Sequence, residues 1–142
     1  SPVNSRNLGG TMNTARKVIL IIEDSIPQID YFTRGFELKL GETVEVLVAT
    51  SILMANVYIS GRTIGSEKPL SIVVMDGCLN RKHQLDTLPL IEDLLRFGFK
   101  GPIIAMSASP EFREKMMAAG CTHVSEKVDV PSLVTQLIAE MG

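Results

Sequence analysis

Two hydrophobic rhythms take turns along this chain. Short continuous apolar runs, VILII after Lys17, IVVM at 72–75 and IIAM at 103–106, are separated by longer stretches in which apolar residues recur every three or four positions. Continuous runs bounded by turn residues read as strands covered on both faces, and the longer period reads as amphipathic helices. Strict alternation of the two argues for βαβ units and a parallel sheet.

The first strand is expected over Lys17–Ile22, stopping at Glu23 and Asp24. A helix follows, because Ser25-x-x-Gln28 has the form of a capping box, Pro27 suits a first turn, and Ile29, Phe32, Phe36 and Leu40 keep helical spacing up to Gly41. ETVEVLVAT is a second strand, with Val44, Val46 and Val48 alternating as an edge strand would, and SILMANVYIS a short helix. GRTIGSEKP is a loop before the third strand, which ends on Asp76. Beyond the aperiodic GCLNRKHQL, Asp86 is placed to cap a helix with the stripe Leu88, Ile91, Leu94 and Leu95, closed by Gly98. PIIAM is the fourth strand and stops at Ser107; Ser109-Pro110-Glu111 opens the next helix, which Gly120 closes. THV is a short fifth strand before Lys127, and Leu133, Val134, Leu137, Ile138 and Met141 mark the last helix. Five strands and five helices in alternation predict an α/β protein with a doubly wound five-stranded parallel sheet over residues 16–142. Residues 1–15, polar and glycine-containing, are expected to be a flexible N-terminal arm or an expression remnant, with Met12 a possible native start.

Composition narrows the function classes. The 142 residues, 45% hydrophobic and 21% charged, suit one domain that buries roughly two-thirds of its unfolded surface. A net charge of -2 with scattered Lys and Arg offers no basic stripe for a phosphate backbone, so nucleic acid is not expected as a direct partner. No window approaches the about 18 apolar residues of a membrane span, and the first residues lack the apolar centre of a signal peptide, which together favour a cytoplasmic protein without membrane contact. Cys78 and Cys121 show no CxxC spacing and are expected as reduced thiols. Neither GxxxxGK[ST] nor GxGxxG occurs, which removes the common nucleotide-binding readings.

Polar chemistry gathers at the C-terminal ends of the expected strands, the edge at which open α/β sheets bind ligands. Glu23 and Asp24 follow strand one, Asp76 strand three, Ser107 strand four and Lys127 strand five. If strands one and three are neighbours, three carboxylates meet, and their repulsion calls for a hard divalent cation such as Mg²⁺, which takes one or two carboxylates with waters and phosphate oxygens. Lys127 and Ser107 would then hold a phosphoryl group, with Asp76 as the carboxylate nucleophile that accepts it.

The segments ILIIEDS, IVVMD, IIAMSAS and VSEK, in that order, resemble the receiver domain of two-component response regulators over essentially all of residues 17–141. The resemblance implies a flavodoxin-like fold with strand order 2-1-3-4-5. It implies that Glu23 and Asp24 form the acidic pair that holds Mg²⁺, with the backbone carbonyl of Cys78 completing the metal shell. Asp76 would be phosphorylated by a histidine kinase or histidine phosphotransfer protein, and Ser107 and Lys127 would read the phosphoryl group and switch a partner-binding surface. Such a domain is a signalling acceptor with slow self-dephosphorylation rather than a turnover enzyme, acting alone or as a piece of a larger regulator or hybrid kinase with an output domain or effector.

The chain departs from the family at three places. Val128 stands where a proline, often in a cis bond, follows the lysine; a cis bond to valine costs about 2.5–4 kcal/mol, so a trans loop or imposed strain is expected. Val124, beside His123, occupies the aromatic switch position, and Asn80, Arg81 and Lys82 replace the usual proline and glycine after the phosphoacceptor. These departures support one alternative, a phosphorylation-independent pseudo-receiver that acts as a binding module. An aspartate-nucleophile phosphatase commonly carries a second aspartate two residues after the nucleophile, where this chain has Cys78.

Overall fold

The computed structural model of the chain describes residues 16–63, 65–80 and 83–142. The expected N-terminal arm, and with it Arg81 and Lys82, lies outside the described residues. Five strands and five α-helices alternate: β1 (Lys17–Ile22), α1 (Ile26–Leu40), β2 (Val44–Ala49), α2 (Ile52–Gly61), β3 (Ile72–Met75), α3 (Leu88–Arg96), β4 (Ile103–Ala105), α4 (Pro110–Ala119), β5 (His123–Val124) and α5 (Val130–Glu140). All strand pairs are parallel, in the order β2-β1-β3-β4-β5, the 2-1-3-4-5 order that the resemblance implied.

The continuous apolar runs are explained by burial on both faces. Along β1, Val18, Leu20 and Ile22 enter one core and Ile19 and Ile21 the other. The first core is closed by Ala55 and Ile59 of α2, Leu90, Ile91 and Leu94 of α3 and Met116 of α4. The second is closed by Phe32 and Phe36 of α1 and by Val130, Val134 and Leu137 of α5. Two helices therefore cover one face of the sheet and three the other. Each fully buried side chain of this size contributes on the order of 1.5–3 kcal/mol, so a one-residue register slip, which would exchange the two cores, is strongly disfavoured.

Local signals set the helix ends. The Ser25 hydroxyl accepts the Gln28 N–H at the start of α1, and Ser109 accepts the Phe112 N–H at the start of α4. The capping box at Ser25 is only half closed, because the Ser25 N–H bonds to Glu23 Oε2 instead of Gln28. Asp86 does not cap α3. Its two carboxylate oxygens accept the N–H groups of Leu79 and Asn80, each at 2.8 Å, and so fold the loop between β3 and α3. The helix begins after Thr87, whose backbone is already helical.

Candidate functional site

The parallel ladder continues one residue past the strand ends and fixes the backbone of the site. Glu23 N–H bonds to Ala49 O at 3.1 Å, Asp76 N–H to Ile22 O at 3.0 Å, Met106 N–H to Met75 O at 3.0 Å and Ser125 N–H to Ala105 O at 3.0 Å. Acids that follow β1 and β3 are thereby side by side on adjacent strands. One carboxylate oxygen from each of Glu23, Asp24 and Asp76 lies within 4.8 Å of the others. Ser107 and Lys127 line the same cavity of about 350 Å³, together with Cys78, Leu79, His83, Ser109 and Phe112. All six residues expected at the site from the sequence are therefore brought together.

Glu23 is buried, at 1% exposure. Its Oε2 accepts the N–H groups of Asp24 and Ser25, both at 3.1 Å. Its Oε1 meets the Lys127 ammonium at 2.9 Å and has no other partner among the described residues. The same ammonium donates to Asp76 Oδ2 at 3.1 Å, while Asp76 Oδ1 accepts the Gly77 N–H at 2.7 Å. Burial pushes the Glu23 carboxyl above its ordinary range, and the Asp76 charge adds to this, against the opposing pull of Lys127. For Lys127, burial disfavours the charge, but the Glu23 hydrogen bond and the two carboxylates outweigh it and hold the ammonium above its ordinary value. Two of the three acids, Glu23 and Asp76, thus share one cation, with Asp24 beside them. A buried carboxylate oxygen with a single cationic contact, next to two further carboxylates, is an all-oxygen donor set that fits a hard divalent ion.

The peptide bond between Lys127 and Val128 is trans, as is every other among the described residues, and Lys127 opens a short 3-10 turn, Lys127–Asp129. With valine in this place the lysine still reaches both carboxylates. Ser107 is buried at 3% exposure; its oxygen accepts the Ser109 N–H at 3.2 Å, which leaves its own O–H available to a ligand. Gly77 makes room for it, since a Cβ there would stand 3.4 Å from Ser107 Oγ and 3.0 Å from Leu85. Cys78 and Cys121 are both free thiols. Burial and the Asp76 and Asp86 charges push the Cys78 thiol up, so its side chain is not a ready nucleophile. Val124 is exposed, at 49%.

One supporting residue carries no signal in the sequence. Thr87 is fully buried, and its hydroxyl donates to the carbonyls of Asp76 at 2.9 Å and Gly77 at 3.2 Å, bracing the turn that carries the aspartate. A threonine before a helix reads as an ordinary cap, and only the folded loop turns it back toward β3. His83 and Phe112 line the cavity from loop and helix positions that sequence spacing does not connect to it.

No family model and no curated protein matches the sequence. Solved structures do match. A response regulator receiver protein from Pseudoalteromonas atlantica is similar at 17% identity, with 88% of this chain and 99% of that one covered and a TM-score of 0.68. A two-component response regulator from Clostridium difficile is similar at 14% identity over 89% of this chain and 99% of that one, with a TM-score of 0.68. The chain has the receiver-domain fold. A further receiver domain, that of a histidine kinase from Arabidopsis thaliana, is similar at 21% identity over 88% of this chain and 89% of that one, with a TM-score of 0.62. In this receiver fold the acidic cluster lies just past the C-terminal ends of two adjacent strands, β1 and the central β3. No helix among the described residues is long and apolar enough to cross a membrane.

Proposed function

We propose that the chain is a phosphorylatable receiver in which Asp76 accepts a phosphoryl group from a histidine kinase or a histidine phosphotransfer protein. The observation that carries this reading is the shared ammonium: Lys127 Nζ lies 3.1 Å from Asp76 Oδ2 and 2.9 Å from Glu23 Oε1, and Lys127 lines a cavity that is also lined by the buried Ser107. Purely structural ion pairs have no use for a third carboxylate and an unspent hydroxyl beside them.

An oxygen of the Asp76 carboxylate attacks the phosphorus of a phosphohistidine. The new O–P bond forms as the P–N bond breaks, and the imidazole nitrogen leaves with the electron pair. Lys127 then pairs with a phosphoryl oxygen and Ser107 donates its O–H to another, drawing both side chains toward the new group. Glu23, Asp24 and Asp76, with the Cys78 carbonyl, would hold Mg²⁺, which supplies the positive charge that lets an anionic donor approach three acids. The altered positions of Ser107 and Lys127 bias a two-state surface toward an output domain or effector.

Intact-protein mass after incubation with acetyl phosphate and Mg²⁺ tests the assignment. One added phosphoryl group that requires Mg²⁺ and is absent in Asp76→Asn is the expected result. Neither an adduct nor Mg²⁺ binding would leave a phosphorylation-independent binding module, a reading to which the exposed Val124 in the switch position already belongs.

A further inference from the structure

Lys127 depends on a turn that the sheet holds from one side only. The Ser125 N–H bonds to Ala105 O at 3.0 Å, but the turn Lys127–Asp129 that follows has no side-chain cap and is closed internally by Asp129 N–H on Glu126 O at 3.0 Å. The other side is held by α1. The Tyr31 hydroxyl donates to the Val128 carbonyl at 2.6 Å, across 97 residues of sequence. One helical turn further along the same face of α1, Gly35 meets the start of α5: a Cβ on Gly35 would stand 2.8 Å from Pro131 Cβ and Cγ. The turn that carries Lys127 is thus clamped to α1 at Val128 by a hydrogen bond and at Pro131 by a glycine notch.

Tyr31 is 43% exposed, but its ring packs edge-on to Phe32, with centroids 5.9 Å apart and planes at 63°. Phe32 is fully buried, so the exposed phenol has a fixed neighbour from which to point. A lysine ammonium ends a flexible four-carbon stem with no fixed fork of donors, so the position of its backbone sets how well it can meet two carboxylates at once. Misplacing a catalytic group by about 1 Å can cost on the order of a hundredfold in rate.

We propose that Tyr31 is a positioning residue for Lys127: its hydrogen bond to the Val128 carbonyl fixes the turn from which the ammonium reaches Glu23 and Asp76. The consequence for phosphoryl acceptance rests on the function proposed above, whereas the placement of the ammonium does not. Tyr31→Phe keeps the ring and its contact with Phe32 and deletes only the hydroxyl.

Trace acetylation by acetic anhydride, read lysine by lysine by peptide mass spectrometry, tests the placement directly. Relative to the other lysines, Lys127 should acetylate about two- to ten-fold faster in Tyr31→Phe, the range that loss of one hydrogen bond allows. An unchanged Lys127 rate, or an equal rise at Lys39 and Lys115, overturns the proposal. The second measurement compares initial rates of Asp76 phosphorylation by acetyl phosphate. Tyr31→Phe should slow the wild type by a similar factor and have no effect in a Lys127→Ala background; equal slowing in both backgrounds overturns it. If the wild type takes up no phosphoryl group, the proposed function fails while the acetylation ratio still decides the role of Tyr31.

Discussion

Among the described residues, three ionisable side chains that folding withdraws from water, Glu23 and Cys121 buried and Lys127 half-buried, meet three fates set by their neighbours. Glu23 receives two backbone N–H groups and an ammonium, Lys127 receives two carboxylates, and Cys121 receives nothing that favours its charge. Burial alone pushes the Cys121 thiol up to about 12 from 9.0. The sign of the consequence follows: below pH 9 the thiol is neutral folded and unfolded, whereas between 9 and about 12 only the unfolded chain ionises it, so stability falls as pH rises through that window. Between about pH 8 and about pH 10 the wild type should lose up to about 1.4 kcal/mol more stability than Cys121→Ala, with tyrosine and lysine titrations common to both. Urea unfolding at the two pH values reads the difference, and equal losses would show that Cys121 does not carry it.

At the scale of elements, two glycines make opposite predictions. A Cβ at Gly101, in the turn before β4, would stand 2.3 Å from the backbone oxygen of Ser71, just before β3. Backbone cannot rotate out of the way as a side chain can, so Gly101→Ala should separate the starts of the two strands and cost at least about 1–3 kcal/mol. Gly61 closes α2 with nothing near its Cβ position, and Gly61→Ala should stabilise by about 0.5–1 kcal/mol. Denaturant midpoints of the two variants against wild type check both signs. The elements themselves were legible because each has its own period: β1 and β3 are read as continuous runs, α5 as a helical stripe, and Ser25 and Ser109 as caps. What stayed hidden depends on chain returns. Asp86 has the form of a helix cap and instead ties Leu79 and Asn80, Thr87 turns back to the Asp76 carbonyl, and Tyr31 finds a carbonyl 97 residues away. None of these contacts has a period or a spacing to betray it. The six residues expected at the site were legible for the opposite reason, since a parallel sheet brings the residues after its strands to one edge whatever the loops do.

On the scale of the whole molecule, the site accounts for the net charge. Three of the 16 acidic residues and one of the 14 basic residues meet there, leaving 13 of each elsewhere, so the overall -2 equals the local imbalance. A divalent cation bound among these acids would bring the chain to neutrality, and because the unfolded chain disperses the acids, binding must stabilise the fold. At a cation concentration about ten times Kd the gain is about 1.4 kcal/mol, which for a domain of this size raises Tm by a few degrees. Lys127 already contacts two of these carboxylates and would compete with such a cation for them, which separates its two roles. Without Mg²⁺, Lys127→Ala leaves Glu23 Oε1 buried with no partner and should destabilise by about 1–3 kcal/mol. With Mg²⁺, the same variant should gain more than the wild type, because no ammonium has to be displaced from the carboxylates. Thermal melts of wild type, Lys127→Ala and Asp24→Asn across a Mg²⁺ titration read all three effects. The expected pattern is a larger Tm rise in Lys127→Ala than in wild type and a smaller one in Asp24→Asn. A Mg²⁺ response equal in all three would place the cation somewhere other than the carboxylate cluster.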